Sequence, residues 1–113
     1  MVPAVQPDTR IGVQAAGSIS FPAAVYEALG RPARVVVDYD RSGRIIVMSA
    51  TTAMRRGSYA VLPNGTGGAS YRVAAKRLCG QLGLLGSARR YPARVFSEGV
   101  VGMILGEEIH EDG

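Results

Sequence analysis

Cysteine and histidine each occur once in this 113-residue chain, as Cys79 and His110. One cysteine excludes an intramolecular disulfide and a cysteine-based zinc site, and it fits a reducing compartment. A lone histidine in an acidic stretch has no partners for a histidine triad or a metal cluster. No apolar run reaches the length needed to cross a bilayer, and Met1-Val2-Pro3-Ala4-Val5 has neither a basic start nor a long apolar stretch. These absences predict a soluble, cytoplasmic protein with no membrane partner. The Gly-rich run Asn64-Gly65-Thr66-Gly67-Gly68 lacks the Gly-Lys-Ser/Thr of a phosphate loop, and no long helix follows it, so it reads as a turn. No cofactor is expected.

Apolar residues make up 47% of the chain, ample for a packed core. Charge is uneven along it. Residues 1–53 carry five arginines (Arg10, Arg31, Arg34, Arg41, Arg44) against four carboxylates. Residues 54–105 carry Arg55, Arg56, Arg72, Lys76, Arg77, Arg89, Arg90 and Arg94 against Glu98 alone, and Glu107, Glu108, Glu111 and Asp112 follow. The net charge of +4 therefore understates how basic the second half is, and a polyanion is the natural partner for such a surface. Twelve of the thirteen basic residues are arginine, so a bias of base composition is the competing account.

The chain reads as the same pattern twice. Arg10-Ile11-Gly12-Val13 is a short alternating strand, Ser18-Ile19-Ser20-Phe21 a second one, and Pro22 to Gly30 a short helix. In that helix Val25, Ala28 and Leu29 share a face and Gly30 supplies the stop. Val35 to Met48 then forms a hairpin turning at Ser42-Gly43, with Gly43 expected to take the positive φ. The second pass runs through Ser58 to Leu62, the Gly-rich turn, Ser70-Tyr71-Arg72-Val73, a helix over Ala74 to Gly83, and a hairpin over Pro92 to Leu105 turning at Glu98-Gly99. A unit of roughly fifty residues struggles to form a core alone. The repeat thus predicts a mainly β fold with two short helices, one barrel closed by pairing the halves: a single domain over 1–105, units at about 9–49 and 57–105, and a flexible acidic tail at 106–113.

The segment Gly17-Ser18-Ile19-Ser20-Phe21-Pro22-Ala23-Ala24-Val25-Tyr26-Glu27-Ala28-Leu29-Gly30 resembles the signature of the SpoVT/AbrB family: a Gly, an alternating strand, a Pro opening a short helix, and a closing Leu-Gly. The hairpin over Arg34 to Met48 is similar too, and the second half matches more loosely, with Ala74 where the Pro would be. The resemblance implies a pseudo-two-fold swapped-hairpin barrel, here as a single-chain pseudo-dimer, and a role as a DNA-binding transcription regulator or antitoxin-like protein. It departs from the family where charge is concerned. The positions that are commonly basic just after the signature Gly and late on the helix are Ser18, Tyr26 and Glu27.

The candidate nucleic-acid contacts are Arg10, Arg55, Arg56, Arg72, Lys76, Arg77, Arg89 and Arg90, because guanidinium groups bind phosphate bidentately. Of these, Arg55, Arg56, Arg72, Lys76 and Arg77 are expected to converge on one face of the second unit, while Arg89-Arg90 either extend that patch or bracket a loop. Tyr59, Tyr71 and Tyr91 interleave with them as in a single-strand binder, or else pack on the sheet. Asp38 and Asp40 share one side of a strand and read as its solvent face; Cys79 reads as core. With no catalytic constellation, an enzyme is not expected. Two functions remain: a regulator of duplex DNA, and a protein-binding module that has lost DNA binding, with homo-oligomerisation open for either.

Overall fold

The structure, a computed structural model, describes residues 9–54, 57–65 and 67–109. In chain order the elements are β1 (Arg10–Val13), β2 (Ser18–Pro22), α1 (Ala23–Ala28), β3 (Arg34–Asp40), β4 (Ile45–Thr51), β5 (Ser58–Ala60), β6 (Leu62–Pro63), β7 (Ser70–Ala74), α2 (Lys76–Gln81), β8 (Arg89–Ser97) and β9 (Val100–Ile104). A 3-10 turn over Leu105–Glu107 follows β9. The fold is mainly β with two short helices. Among the described residues nine strands form one antiparallel sheet in the order β5-β3-β4-β9-β8-β1-β2-β7-β6. Only Val61 separates β5 from β6 in the chain although they stand at opposite ends of that order, so the sheet curls into a nearly closed barrel.

Alternation of side chains along each strand explains the core. Ile11 and Val13 on β1, Ile19 and Phe21 on β2, Val35 and Val37 on β3, Ile46 and Met48 on β4, Val73 on β7, Tyr91 on β8, and Val101 and Met103 on β9 all turn inward and are buried. Each such side chain stabilises the fold by about 1.5–3 kcal/mol through removal from water. Val25 and Ala28 of α1 and Cys79 of α2 fill the barrel from its helical side. Among the described residues no helix is long and apolar enough to cross a membrane.

The pairings between the two halves come in matched sets. The first strand of the chain, β1, pairs with β8, and its counterpart in the second half, β5, pairs with β3. The two remaining contacts join counterparts directly: β2 with β7, and β4 with β9. Neither half therefore completes its sheet from its own strands.

Both helices are shorter than their apolar spacing predicts. Pro22 was expected as the first helical residue, yet it has φ −75° and ψ 169° and belongs to β2, paired with Ser70. The ring fixes φ but leaves ψ free, and the β2–β7 ladder holds it extended. Likewise Ala74 pairs with Ser18, which delays α2 until Lys76. Both stops fall where expected and share one geometry. Gly30 at φ +86° donates its N–H to the Glu27 carbonyl and Arg31 donates to Tyr26; Gly83 at φ +72° donates to Gly80 and Leu84 to Cys79. In the β3–β4 turn the positive φ lies on Arg44 (+53°) rather than on Gly43. A Cβ at Gly43 would stand 3.0 Å from both Asp40 Oδ2 and Ile45 Cδ1, the far ends of two side chains that would have to give way.

Candidate nucleic-acid interface

The outer surface of β8, β1, β2 and β7 carries the basic face. In an antiparallel ladder, residues directly opposite one another project to the same side. Arg90 lies opposite Gly12, Gly12 opposite Ser20, and Ser20 opposite Arg72, which makes one row across four strands. Strand spacing places the ends of that row, Arg90 and Arg72, about 14 Å apart along the backbone. Arg10 stands two residues from Gly12 on β1 and so shares its side, opposite Pro92. Arg10 and Arg90 are exposed and Arg72 is half-buried. The inward neighbours Ile11, Val13, Ile19 and Val73 are fully buried, so the sheet holds these arginines outward on a rigid floor.

A shallow groove of about 270 Å³ is lined by Arg10 and Arg90 with Gly12, Ser20, Phe21, Pro22 and Ser70, and Arg72 lies outside that lining. Gly12 keeps its floor low, because a Cβ there would come within 3.3 Å of Ser20 Oγ. Two guanidiniums over two serine hydroxyls form a donor-rich surface suited to phosphate oxygens.

The expected cluster is rearranged. Arg10 comes from the first half and Arg90 from the second, so the basic face is not confined to the second unit; β1 carries Arg10 across because its partner is β8. Lys76 and Arg77 open α2, beyond the end of β7, and are both exposed. Arg55 and Arg56 lie outside the described residues.

Arg89 does not join Arg90. Adjacent positions on a strand face opposite sides, and Arg89 sits beside buried Tyr91 at the barrel's end. Its Nη1 donates to Glu108 Oε1 at 3.1 Å, and the Tyr91 hydroxyl donates to the same oxygen at 3.3 Å. The hydrogen bond that Arg89 donates to Glu108 pushes the Arg89 pKa up, and burial pushes the Tyr91 phenol up. Arg89 Nε is buried without a partner among the described residues. Arg94, which the sequence reading did not select, lies on the same side of β8 as Arg90 and stands 3.8 Å from Glu107.

These contacts change the picture of the C-terminal segment. The expected flexible tail spans 106–113, yet residues 106–109 are folded against β8: the Ile109 N–H donates to the Arg90 carbonyl at 2.7 Å, forming an antiparallel bridge. A carboxylate beside a half-buried guanidinium supplies the reason. Residues 110–113, including His110, lie outside the described residues.

The tyrosines do not present a stacking platform. Tyr91 is 1% exposed, and Tyr71 stacks on Tyr26 with ring centroids 3.8 Å apart. Asp38 and Asp40 are exposed on β3, with Asp40 accepting from the Ser42 hydroxyl at 3.0 Å. Burial raises the Cys79 pKa, which removes thiolate character from a fully buried side chain.

No protein-family model matches this chain, and no curated protein or solved structure is significantly similar to it.

Proposed function

We propose that the protein is a DNA-binding regulator whose barrel is of the swapped-hairpin, AbrB-like type, with Arg10, Arg72 and Arg90 set against the phosphate backbone of a duplex. The observation that carries this reading is the row Arg90–Gly12–Ser20–Arg72 with Arg10 beside it. Three residues distant in sequence share one outward face, and Arg10 and Arg90 line a groove on it. The matched exchange of strands between the halves supports the AbrB-like reading of the fold, since β1 with β8 mirrors β5 with β3. Phosphate contacts position such a protein without reading sequence, and DNA shape supplies part of the specificity.

The test is a fluorescence-anisotropy titration of a short duplex at several salt concentrations. Three phosphate contacts give a slope of log K against log salt of about −2.7. Arg10→Glu, Arg72→Glu and Arg90→Glu together should abolish binding, whereas Lys76→Glu with Arg77→Glu measures any contribution of α2. Absence of binding at low salt, or an affinity indifferent to the triple reversal, refutes the proposal.

A further inference from the structure

Counterpart strands meet directly at two seams, β2 with β7 and β4 with β9. The seams lie on opposite sides of the barrel, with β9, β8, β1 and β2 between them one way and β4, β3, β5, β6 and β7 the other. Their outer surfaces differ in kind. At the first seam the outward positions include Ser18, Ser20, Ser70 and Arg72. At the second, Ile46, Met48, Val101 and Met103 fill the core, so the alternate residues Ile45, Val47 and Val100 face outward, each half-buried. The solvent face of an antiparallel sheet ordinarily carries polar residues in such positions. Phe96 of β8 extends this apolar face. It is 47% exposed, and its ring lies across Gly102, where a Cβ would collide with it.

Charge around the patch is self-complementary. Asp38 lies opposite Val47, Val47 opposite Gly102, and Gly102 opposite Arg94, which makes one row across β3, β4, β9 and β8. The middle of the row is apolar and its ends carry opposite signs. Consider a second copy meeting the first face to face. A two-fold axis running along the strands between β4 and β9 lays β3 over the partner's β8, and so sets each Asp38 against the partner's Arg94. The other axis in that plane, across the strands, would set Asp38 against the partner's Asp38 and is opposed by like charge.

Both ends of the row can make the new contact. Asp38 is exposed, and its carboxylate has no partner among the described residues. Arg94 stands 3.8 Å from Glu107, but each of these side chains is 59% exposed. So loose a pair leaves a guanidinium with five donors open to a second carboxylate.

We propose that the outer face of β3, β4, β9 and β8 is the interface of a symmetric dimer of this chain, with Val47 and Phe96 packed across the two-fold axis and Asp38 paired with the partner's Arg94 at both ends. A second copy is the occupant because the face complements itself in charge as well as in apolar character. Four short strands make a small interface, so the dimer forms at micromolar rather than nanomolar concentration. The inference is independent of the DNA-binding reading, and the surface of the β2–β7 seam stays open in the dimer.

The test is sedimentation velocity of the whole chain over a concentration series. Wild type should pass from monomer to dimer. Asp38→Arg, and separately Arg94→Glu carried with Glu107→Gln so that the new carboxylate meets none of its own chain, should each weaken the dimer at least about tenfold, since two pairs turn from attraction to repulsion. An equimolar mixture of the two variants should regain the dimer, because each mixed contact again joins opposite charges. Phe96→Ala should weaken association about tenfold without any such rescue. Circular dichroism checks that each variant is folded, and Asp38→Lys with Arg94→Asp gives the same comparison should either fail. The proposal is overturned by a monomer persisting to millimolar concentration, by a dimer that none of these changes weakens, or by a mixture that associates no better than its components.

Discussion

Replacing Gly17 with alanine probes the point where the two halves press hardest on each other. Gly17 closes the turn between β1 and β2, is buried, and has φ +99°. A Cβ there would stand 2.7 Å from the Lys76 Cα and 3.0 Å from the Leu85 Cδ2, so the obstacle includes α2 backbone rather than only a flexible side-chain tip. Two costs follow. Forcing a Cβ into the left-handed region costs about 1–2 kcal/mol, and pushing a packed helix aside costs about 1–3 kcal/mol. Their sum, about 2–5 kcal/mol, is a large part of the 5–15 kcal/mol typical of a small domain. Gly30→Ala is the control, because Gly30 has φ +86° but open space around its Cβ position. It should lose only the conformational part. Urea denaturation followed by circular dichroism measures both, and the difference between the variants isolates the contact between the first half's turn and the second half's helix. Equal destabilisation by the two variants would refute the close approach and with it the proposed packing of the halves.

Tyr91 gives a pH test: burial raises its phenol above the ordinary value of about 10, so the stability tied to the neutral phenol is intact below that pH and is lost as pH rises through the shifted value. Wild type should therefore lose stability more steeply than Tyr91→Phe above about pH 10, and superimposable stability curves would contradict the assignment. Cys79 should react with iodoacetamide at least about a hundredfold more slowly in the native protein than in urea, because the buried thiol resists ionisation and access. Comparable rates in the two conditions would place Cys79 outside the core.

Local signals in the sequence carried far. The alternation Arg-Ile-Gly-Val and Ser-Ile-Ser-Phe gave β1 and β2 with the correct inward residues, because a period of two is imposed by the strand itself. Leu-Gly at 29–30 and 82–83 located both helix stops, since a left-handed closing residue is a local steric requirement. The errors arose where distant strands intervened. Pro22 and Ala74 left their expected helices because β2 and β7 pair through them, and β8 begins three residues before Pro92 because β1 offers a ladder back to Arg89. Arg89 carried no local sign of its partner, which arrives from Glu108, nineteen residues further on.

The same non-local pairing decides how charge should be read. Dividing the chain at its middle assigns a near-neutral first half and a strongly basic second half, and that division presumes that each half is a separate surface. The ladder between β1 and β8 removes the presumption by setting Arg10 beside Arg90, while β2 and β7 set Ser20 opposite Arg72. Arg89 and Arg94, counted as free charge in the sequence, instead face Glu108 and Glu107. The tail's carboxylates thus act on Arg89 and Arg94 of β8. Surface charge in a fold of interleaved repeats belongs to the seam between copies, so a candidate interface has to be sought along the strand pairings and not within either copy.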